Sequence, residues 1–87
     1  MVFDKKFSYE IKKKICTLSL IGEESKELNL ISYGNRPAKF DLRIWKEGLN
    51  GQRIMCKGVT LSRAEAQMLR DYLTQELKQE EEEEEQA

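Results

Sequence analysis

The sequence predicts an α+β domain in which a curved, four-stranded antiparallel sheet is followed by one C-terminal helix, in the order β-β-β-β-α. Three observations predict this fold. Apolar and polar residues alternate with a period of two in four segments between residues 7 and 61. Turn-forming glycine, asparagine and proline residues lie between these segments. From Ser62 onward the apolar residues instead recur at the spacing of an amphipathic helix.

The first two strands are predicted over Phe7–Ile21 and Glu27–Tyr33, with a turn over Gly22–Ser25 between them. In the first strand the apolar alternation changes phase around Lys12–Lys14. A change of phase within one strand is typical of a β-bulge or a sharp bend. The two phases are Phe7, Tyr9 and Ile11, and then Cys16, Leu18 and Leu20.

The third strand has the most regular alternation and follows a turn at Gly34–Pro37. One face carries Ala38, Phe40, Leu42 and Ile44, and the other carries Lys39, Asp41, Arg43 and Trp45. We expect the helix to cover the apolar face and the second face to be open. A loop over Lys46–Gln52 precedes the fourth strand at Arg53–Leu61, in which Gly58 marks a bulge or a close approach between strands.

A capping box, Ser62–Glu65, predicts where the helix begins. Leu69, Leu73 and Leu77 then form one apolar stripe over about four turns, and we expect Leu69, Leu73 and Tyr72 to support core and dimer packing. The run Glu80–Glu85 has six like charges that repel one another, so residues 80–87 are predicted to be a disordered acidic tail after a domain of residues 1–79. This tail would bind the basic groove or a basic protein, or serve only solubility.

The residue inventory argues against an enzyme, a metal site or a cofactor. The chain has no histidine, the commonest general base and a frequent metal ligand. Cys16 and Cys56 are best explained as small hydrophobic residues, the alternative being a thiol-dependent enzyme. Glu23, Glu24 and Glu27 are expected to be solvated. No apolar run exceeds three residues and the N-terminus is not a secretory signal, so we expect a cytoplasmic protein.

Basic charge and aromatic residues coincide on the predicted open face. Without Glu80–Glu85, fifteen basic residues outnumber ten acidic ones, a net charge of +5. Unpaired bases stack on aromatic rings and phosphates require cations, so such a face suits single-stranded nucleic acid. The candidate nucleic-acid-binding residues are Tyr33, Arg36, Lys39, Arg43, Trp45 and Lys57.

Alternatives to single-stranded DNA binding remain at this point. Trp45 would also fit the edge of a sheet or a dimer contact. The same face would serve a protein-interaction module with Trp45 as its anchor, or a binder of single-stranded RNA, because stacking does not read the sugar. Whether Arg53 and Lys12–Lys14 contact the ligand is left open, since three lysines also protect an exposed strand.

Three segments resemble the bacterial YdbC-like proteins, which belong with the single-stranded-DNA-binding domain of the coactivator positive cofactor four. These segments are Glu27–Tyr33, Asn35–Trp45 and Lys57–Ser62, within a resemblance over residues 7–77. It implies a homodimer whose curved sheets form grooves for single-stranded DNA, with little sequence preference. The motif positions fall on Arg43, Trp45 and Lys57, with Arg36 and Lys39 in the basic turn and strand and Tyr33 at an aromatic position.

The resemblance also implies a biological setting. Such a protein would be associated with the bacterial nucleoid and would regulate transcription or protect exposed strands in replication and repair. Two regions depart from the family pattern, namely the loop over residues 46–56 and the acidic tail. Neither region therefore inherits a role from the resemblance.

Overall fold

The computed structural model describes residues 8–86, so Phe7 and Ala87 lie outside the described residues. Four strands are followed by one helix: β1 at Tyr9–Ile21, β2 at Glu24–Tyr33, β3 at Lys39–Glu47, β4 at Arg53–Leu61 and α1 at Arg63–Gln86. The strands form one antiparallel sheet in the spatial order β1-β2-β3-β4. The predicted β-β-β-β-α fold is confirmed.

Bulges interrupt the sheet at its two outer ladders. Between β1 and β2 the register shifts at three places, between Ile11 and Lys13, Lys14 and Cys16, and Thr17 and Ser19. The predicted irregularity around Lys12–Lys14 is confirmed, and two of the three shifts fall there. A further shift lies between Arg43 and Trp45, where β3 pairs with β4. Each bulge bends its strand and increases the local twist, which curves the sheet.

The turn from β2 to β3 explains how those two strands are aligned. Gly34 and Asn35 have φ angles of 55° and 66°, and the Arg36 N–H donates to the Tyr33 carbonyl at 3.0 Å. Positive φ at both central residues is the signature of a type I′ turn, whose twist matches that of the strands it joins. The turn leads into a register that places Glu27 opposite Arg43 and Asn29 opposite Asp41.

Alternation along the strands gives the sheet two distinct faces. What we call the aromatic face carries, from β2 and β3, Glu27, Asn29, Ile31, Tyr33, Lys39, Asp41, Arg43 and Trp45. What we call the leucine face carries Leu28, Leu30, Phe40, Leu42 and Ile44. The predicted division of β3 into two faces, with Tyr33 on the side of Trp45, is therefore confirmed.

Burial of the two faces is the reverse of what the sequence predicts. The fully buried hydrophobic residues within the described chain are Ile31 and Trp45, both on the aromatic face. The leucine face is only half-buried, because α1 makes few contacts with the sheet and its residues from Gln67 to Glu84 are exposed. The expectation that the helix covers the leucine face is thus wrong for the single chain. The helix projects away from the sheet, and the side chains of the aromatic face pack against one another.

The helix is longer than predicted. Its start is the predicted capping box: the Glu65 N–H donates to Ser62 Oγ at 3.1 Å and the Ser62 N–H donates to Glu65 Oε1 at 2.8 Å. These hydrogen bonds lower the pKa of Glu65. The helix then continues through the glutamate run to Gln86, where the sequence predicts a disordered tail. Glutamate is a good helix former, and neither glycine nor proline interrupts the segment. Within residues 8–86 no helix is apolar and long enough to span a membrane.

Candidate nucleic-acid interface

Three aromatic rings cluster on the aromatic face. Tyr9 lies opposite Tyr33 in the β1–β2 ladder, and their ring centroids are 6.4 Å apart. The centroids of Tyr9 and Trp45 are 5.8 Å apart, and the ring planes are tilted by 55°. Tyr9 is the most accessible of the three, with 39% of its surface exposed. Sequence reasoning did not include Tyr9 in the site, although the pairing of β1 with β2 brings it there.

Trp45 is sealed within this cluster instead of open to solvent. Only 1% of the surface of Trp45 is exposed, and the guanidinium carbon of Arg53 lies 4.7 Å from the ring centroid. Tyr9 packs beside the ring, so both neighbours exclude solvent from it. The expectation that Trp45 offers an open stacking surface is wrong for this structure. Its contact with nucleic acid stays a prediction.

Arg43 is held in an internal network with Asp41 and Tyr33. Its Nε and Nη2 donate to the two carboxylate oxygens of Asp41 at 2.7 and 2.8 Å, and its Nη1 donates to the Cys56 carbonyl at 2.8 Å. The Tyr33 hydroxyl donates to the same carboxylate at 2.7 Å. Because Asp41 is fully buried and Arg43 is 13% exposed, this guanidinium positions neighbouring groups and is not free for phosphate.

The titration of this network reflects its burial and its charges. Burial is the main cause that raises the pKa of Tyr33 to about 12, and the hydrogen bond to Asp41 adds to it. The same carboxylate raises the pKa of Arg43. Tyr33 is therefore a neutral hydrogen-bond donor, and Arg43 is a cation, at every physiological pH.

Gly58 allows β4 to approach Arg43 closely. A Cβ atom at Gly58 would collide with the Arg43 Cβ and would lie 2.7 Å from both the Arg43 Cα and the Leu42 carbonyl oxygen. Gly58 pairs with Arg43 next to the β3–β4 register shift. The predicted bulge or close approach at Gly58 is confirmed, and its reason is the space that Arg43 requires.

A second ion pair fixes Arg53 over Trp45. The Arg53 guanidinium donates to both carboxylate oxygens of Glu27, at 2.7 and 2.9 Å. Ser25 Oγ donates to the same carboxylate at 2.6 Å, and Asn29 Nδ2 at 3.4 Å. Chiefly because of Arg53, the pKa of Glu27 is lowered to about 2. Glu27 is 6% exposed, so the expectation that it is solvated is wrong.

The remaining predicted cations are exposed. These are Arg36 in the β2–β3 turn, Lys39 on the aromatic face and Lys57 next to Cys56 in β4. Lys14 joins them, since it lines a cavity of about 190 Å³ together with Glu27, Asn29 and Arg53. The six predicted residues thus divide into an internal group of Tyr33, Arg43 and Trp45 and an exposed group of Arg36, Lys39 and Lys57. Sequence reasoning left Lys14 and Arg53 open, and the structure adds both to the aromatic face.

Metal binding has no residue cluster to support it in the described part of the chain, where no three histidine, cysteine, aspartate or glutamate side chains come together as ligands. Cys16 and Cys56 are free thiols. The arrangement offers rings, hydrogen-bond donors and cations, which are groups that bind and position a ligand.

The chain is similar to a protein of Treponema pallidum. An uncharacterized protein of Treponema pallidum (strain Nichols) is 44% identical over 73 residues, which cover 83% of this chain and 82% of that protein. No model of a known protein family matches the chain.

Proposed function

We propose that this chain, which belongs to the same family as the Treponema pallidum protein, binds single-stranded DNA through its aromatic face with little sequence preference. The observation that carries the proposal is the cluster of Tyr9, Tyr33 and Trp45 on one face of a curved sheet, with cations around it. An accessible ring that accepts a stacked base, next to cations that neutralise phosphates, suits an unpaired strand. A duplex hides the faces of its bases and would not use the rings.

The roles of the residues differ with their accessibility. Tyr9 supplies the accessible ring, and Trp45 supports it from beneath. Lys14 and Lys39 meet phosphates from the aromatic face, and Arg36 in the β2–β3 turn and Lys57 in β4 supply further exposed cations. Arg43 acts through Asp41 and Tyr33, which it holds in place. The resulting activity is binding without catalysis, and it would serve transcription regulation or the protection of exposed strands in the bacterial nucleoid.

Fluorescence anisotropy with oligo-dT tests the proposal. We expect Tyr9→Leu to weaken binding by roughly 5- to 150-fold, since stacking contributes about 1–3 kcal/mol per base, and Tyr9→Phe to retain it. Log affinity should fall with log salt by roughly 0.7 for each phosphate contacted. Lys39→Ala should lower that slope, whereas the matched helix variant Lys78→Ala should not.

Four results would overturn or redirect the proposal. Equal affinity for a duplex, or an unchanged affinity in Tyr9→Leu, would remove the rings from the site. Tighter binding of RNA than of DNA of equal length would make RNA the ligand. Binding of an acidic protein that oligo-dT fails to displace would make the face a protein-interaction module.

A homodimer is part of the same proposal, and exposed apolar residues support it. Within one chain the leucine face is half-buried, Val59 is 55% exposed, and the helix exposes an apolar stripe. The radius of gyration is 16.6 Å, against about 12 Å for a compact chain of this length. A second copy would cover these surfaces, as small domains need more apolar burial than one chain supplies. The exposed helical residues are Met68, Leu69, Tyr72, Leu73 and Leu77.

Sedimentation analysis tests the dimer. Leu73→Glu places a charge in the apolar stripe, and we expect it to convert the dimer to a monomer. The matched variant Gln75→Glu adds the same charge on an exposed position outside the stripe and should leave the dimer intact. A wild-type chain that sediments as a monomer at all concentrations would contradict this part of the proposal.

A further inference from the structure

A cavity of about 330 Å³ lies at the end of the aromatic face, between the β1–β2 turn and the β3–β4 loop. Its deeper wall includes Ser25, Glu27 and Trp45, and Arg53 also lines it. Exposed residues such as Leu20 and Glu47 form other parts of its lining, so the cavity can be reached from solvent. Its volume falls at the lower end of the roughly 300–1,000 Å³ of small-molecule sites.

The indole N–H of Trp45 has no acceptor in this arrangement. Nε1 is buried, and no atom of the described residues accepts a hydrogen bond from it. Buried donors are nearly always paired, because an unpaired N–H loses its hydration without replacement. Because Nε1 is buried next to the cavity and not open to it, a ligand reaches it only when the lining shifts. An unpaired donor in this position indicates a ligand whose entry uncovers the N–H and brings an acceptor atom.

The charges of the lining decide which part of a polynucleotide fits. Three carboxylates, Glu23, Glu27 and Glu47, face two cations, Lys46 and Arg53, so the formal charge is −1. Arg53 is already committed to Glu27 by two hydrogen bonds. The net negative charge of the lining would repel a phosphate, whereas it would not repel a neutral base. The edges of bases carry carbonyl oxygens and ring nitrogens that accept hydrogen bonds.

We propose that this cavity receives one unpaired nucleobase, whose entry shifts the lining and whose edge then accepts a hydrogen bond from Trp45 Nε1. The inference rests on the proposed binding of single-stranded DNA, because the strand on the aromatic face delivers the base. Stacking on Tyr9 and insertion beside Trp45 are separate contacts. The first needs the face of a base and the second needs its edge.

The single tryptophan makes the contact directly measurable. In a ¹H–¹⁵N correlation spectrum of the full chain, Trp45 gives the one indole N–H signal. We expect saturating oligo-dT to shift this proton downfield, as a new hydrogen bond does, and an abasic oligonucleotide of the same length to leave it in place. Leu20→Phe, which enlarges an exposed residue of the lining, should abolish the shift and weaken oligo-dT binding several-fold. Leu18→Phe alters an exposed neighbour in β1 outside the lining and should change neither.

The outcomes separate this inference from the proposed function. If oligo-dT binds but the indole signal stays in place, or moves equally with the abasic strand, the base pocket is wrong and the binding face stands. If Leu20→Phe and Leu18→Phe bind oligo-dT as tightly as the unaltered chain, the pocket is also wrong. If no oligonucleotide binds at all, the proposed function fails first and the pocket fails with it.

Discussion

The aromatic face and the leucine face differ in how fully a single chain buries them. On the aromatic face Asp41 and Trp45 are at most 1% exposed. The Glu27–Arg53 ion pair joins β2 to β4, and hydrogen bonds from Tyr33 to Asp41 and from Arg43 to the Cys56 carbonyl join β3 to both of these strands. On the leucine face the side chains are apolar but only half-buried, and Val59 is 55% exposed. Curvature and polar contacts between strands, more than apolar content, decide which face a single copy buries. The apolar face is left for another surface to cover.

The largest expected effect follows from the burial of Trp45. We expect Trp45→Ala to lower the free energy of unfolding by about 3–5 kcal/mol, the usual cost of truncating a buried tryptophan. The matched loop variant Leu49→Ala should change it by less than about 0.5 kcal/mol, because Leu49 is fully exposed. Urea unfolding measures both.

A small domain has little stability to lose, so Trp45→Ala is paired with a milder variant. Trp45→Phe keeps a ring and should retain a folded chain with an intermediate loss. If Trp45→Ala and Leu49→Ala unfold at the same urea concentration, the aromatic face is not the closed core described above.

Gly58 tests how tightly β4 packs against β3 on the aromatic face. Gly58→Ala forces a methyl group against the backbone of Arg43, and overpacking of this kind costs about 2–3 kcal/mol. The control Gly22→Ala has φ of +59° but no atom within 4 Å, so it should cost only roughly 1 kcal/mol of left-handed backbone strain. A Gly58→Ala variant as stable as Gly22→Ala would show that Arg43 has room to move.

The Glu27–Arg53 pair predicts a pH dependence of stability. The pKa of Glu27 is about 2 in the folded chain against 4.5 for a free glutamate, so the stabilising effect is complete above pH 4.5 and is lost as the pH falls toward 2. One pKa unit is about 1.4 kcal/mol, and because the Arg53 side chain is 40% exposed we expect about 2 kcal/mol in total.

Acid titration of the unfolding free energy measures this loss. Glu27→Gln should abolish the part of the loss in stability below pH 4.5 that protonation of Glu27 causes. Glu10→Gln is the control, since Glu10 pairs with Lys12 in an exposed salt bridge that contributes little. If the unfolding free energies of the two variants fell equally as the pH is lowered, the role given to Glu27 would be wrong.

Local pattern predicted most of the fold. Strand periodicity, the turn at Gly34 and Asn35, the capping box and the close approach at Gly58 all depend on neighbouring residues, so the sequence shows them directly. Parity also predicted that Tyr33, Arg43 and Trp45 share a face. It could not predict which face closes, because Arg53 reaches Glu27 across 26 positions and has no local signature. For the same reason Tyr9 was missed: its place beside Trp45 depends on the β1–β2 register.

The length of the helix was ambiguous for a different reason. Glutamates repel one another along a helix, which favours disorder, but each is a good helix former. The two tendencies oppose each other within Glu80–Glu85, and sequence reasoning weighed only the repulsion. The structure shows a helix as far as Gln86.

The smallest expected effect comes from removing residues 80–87, and it separates a helical from a flexible acidic segment. At 1.5 Å per residue, Glu80 lies about 25 Å along the helix from Arg63. The Debye length is about 10 Å at 0.1 M salt and about 30 Å at 0.01 M, so oligo-dT affinity should change less than about twofold at 0.1 M and tighten only at 0.01 M. A flexible tail would instead compete for the cations at both salt concentrations. Several-fold tighter binding at 0.1 M would therefore show that the glutamates reach the aromatic face, which a continuous helix in the same chain does not permit.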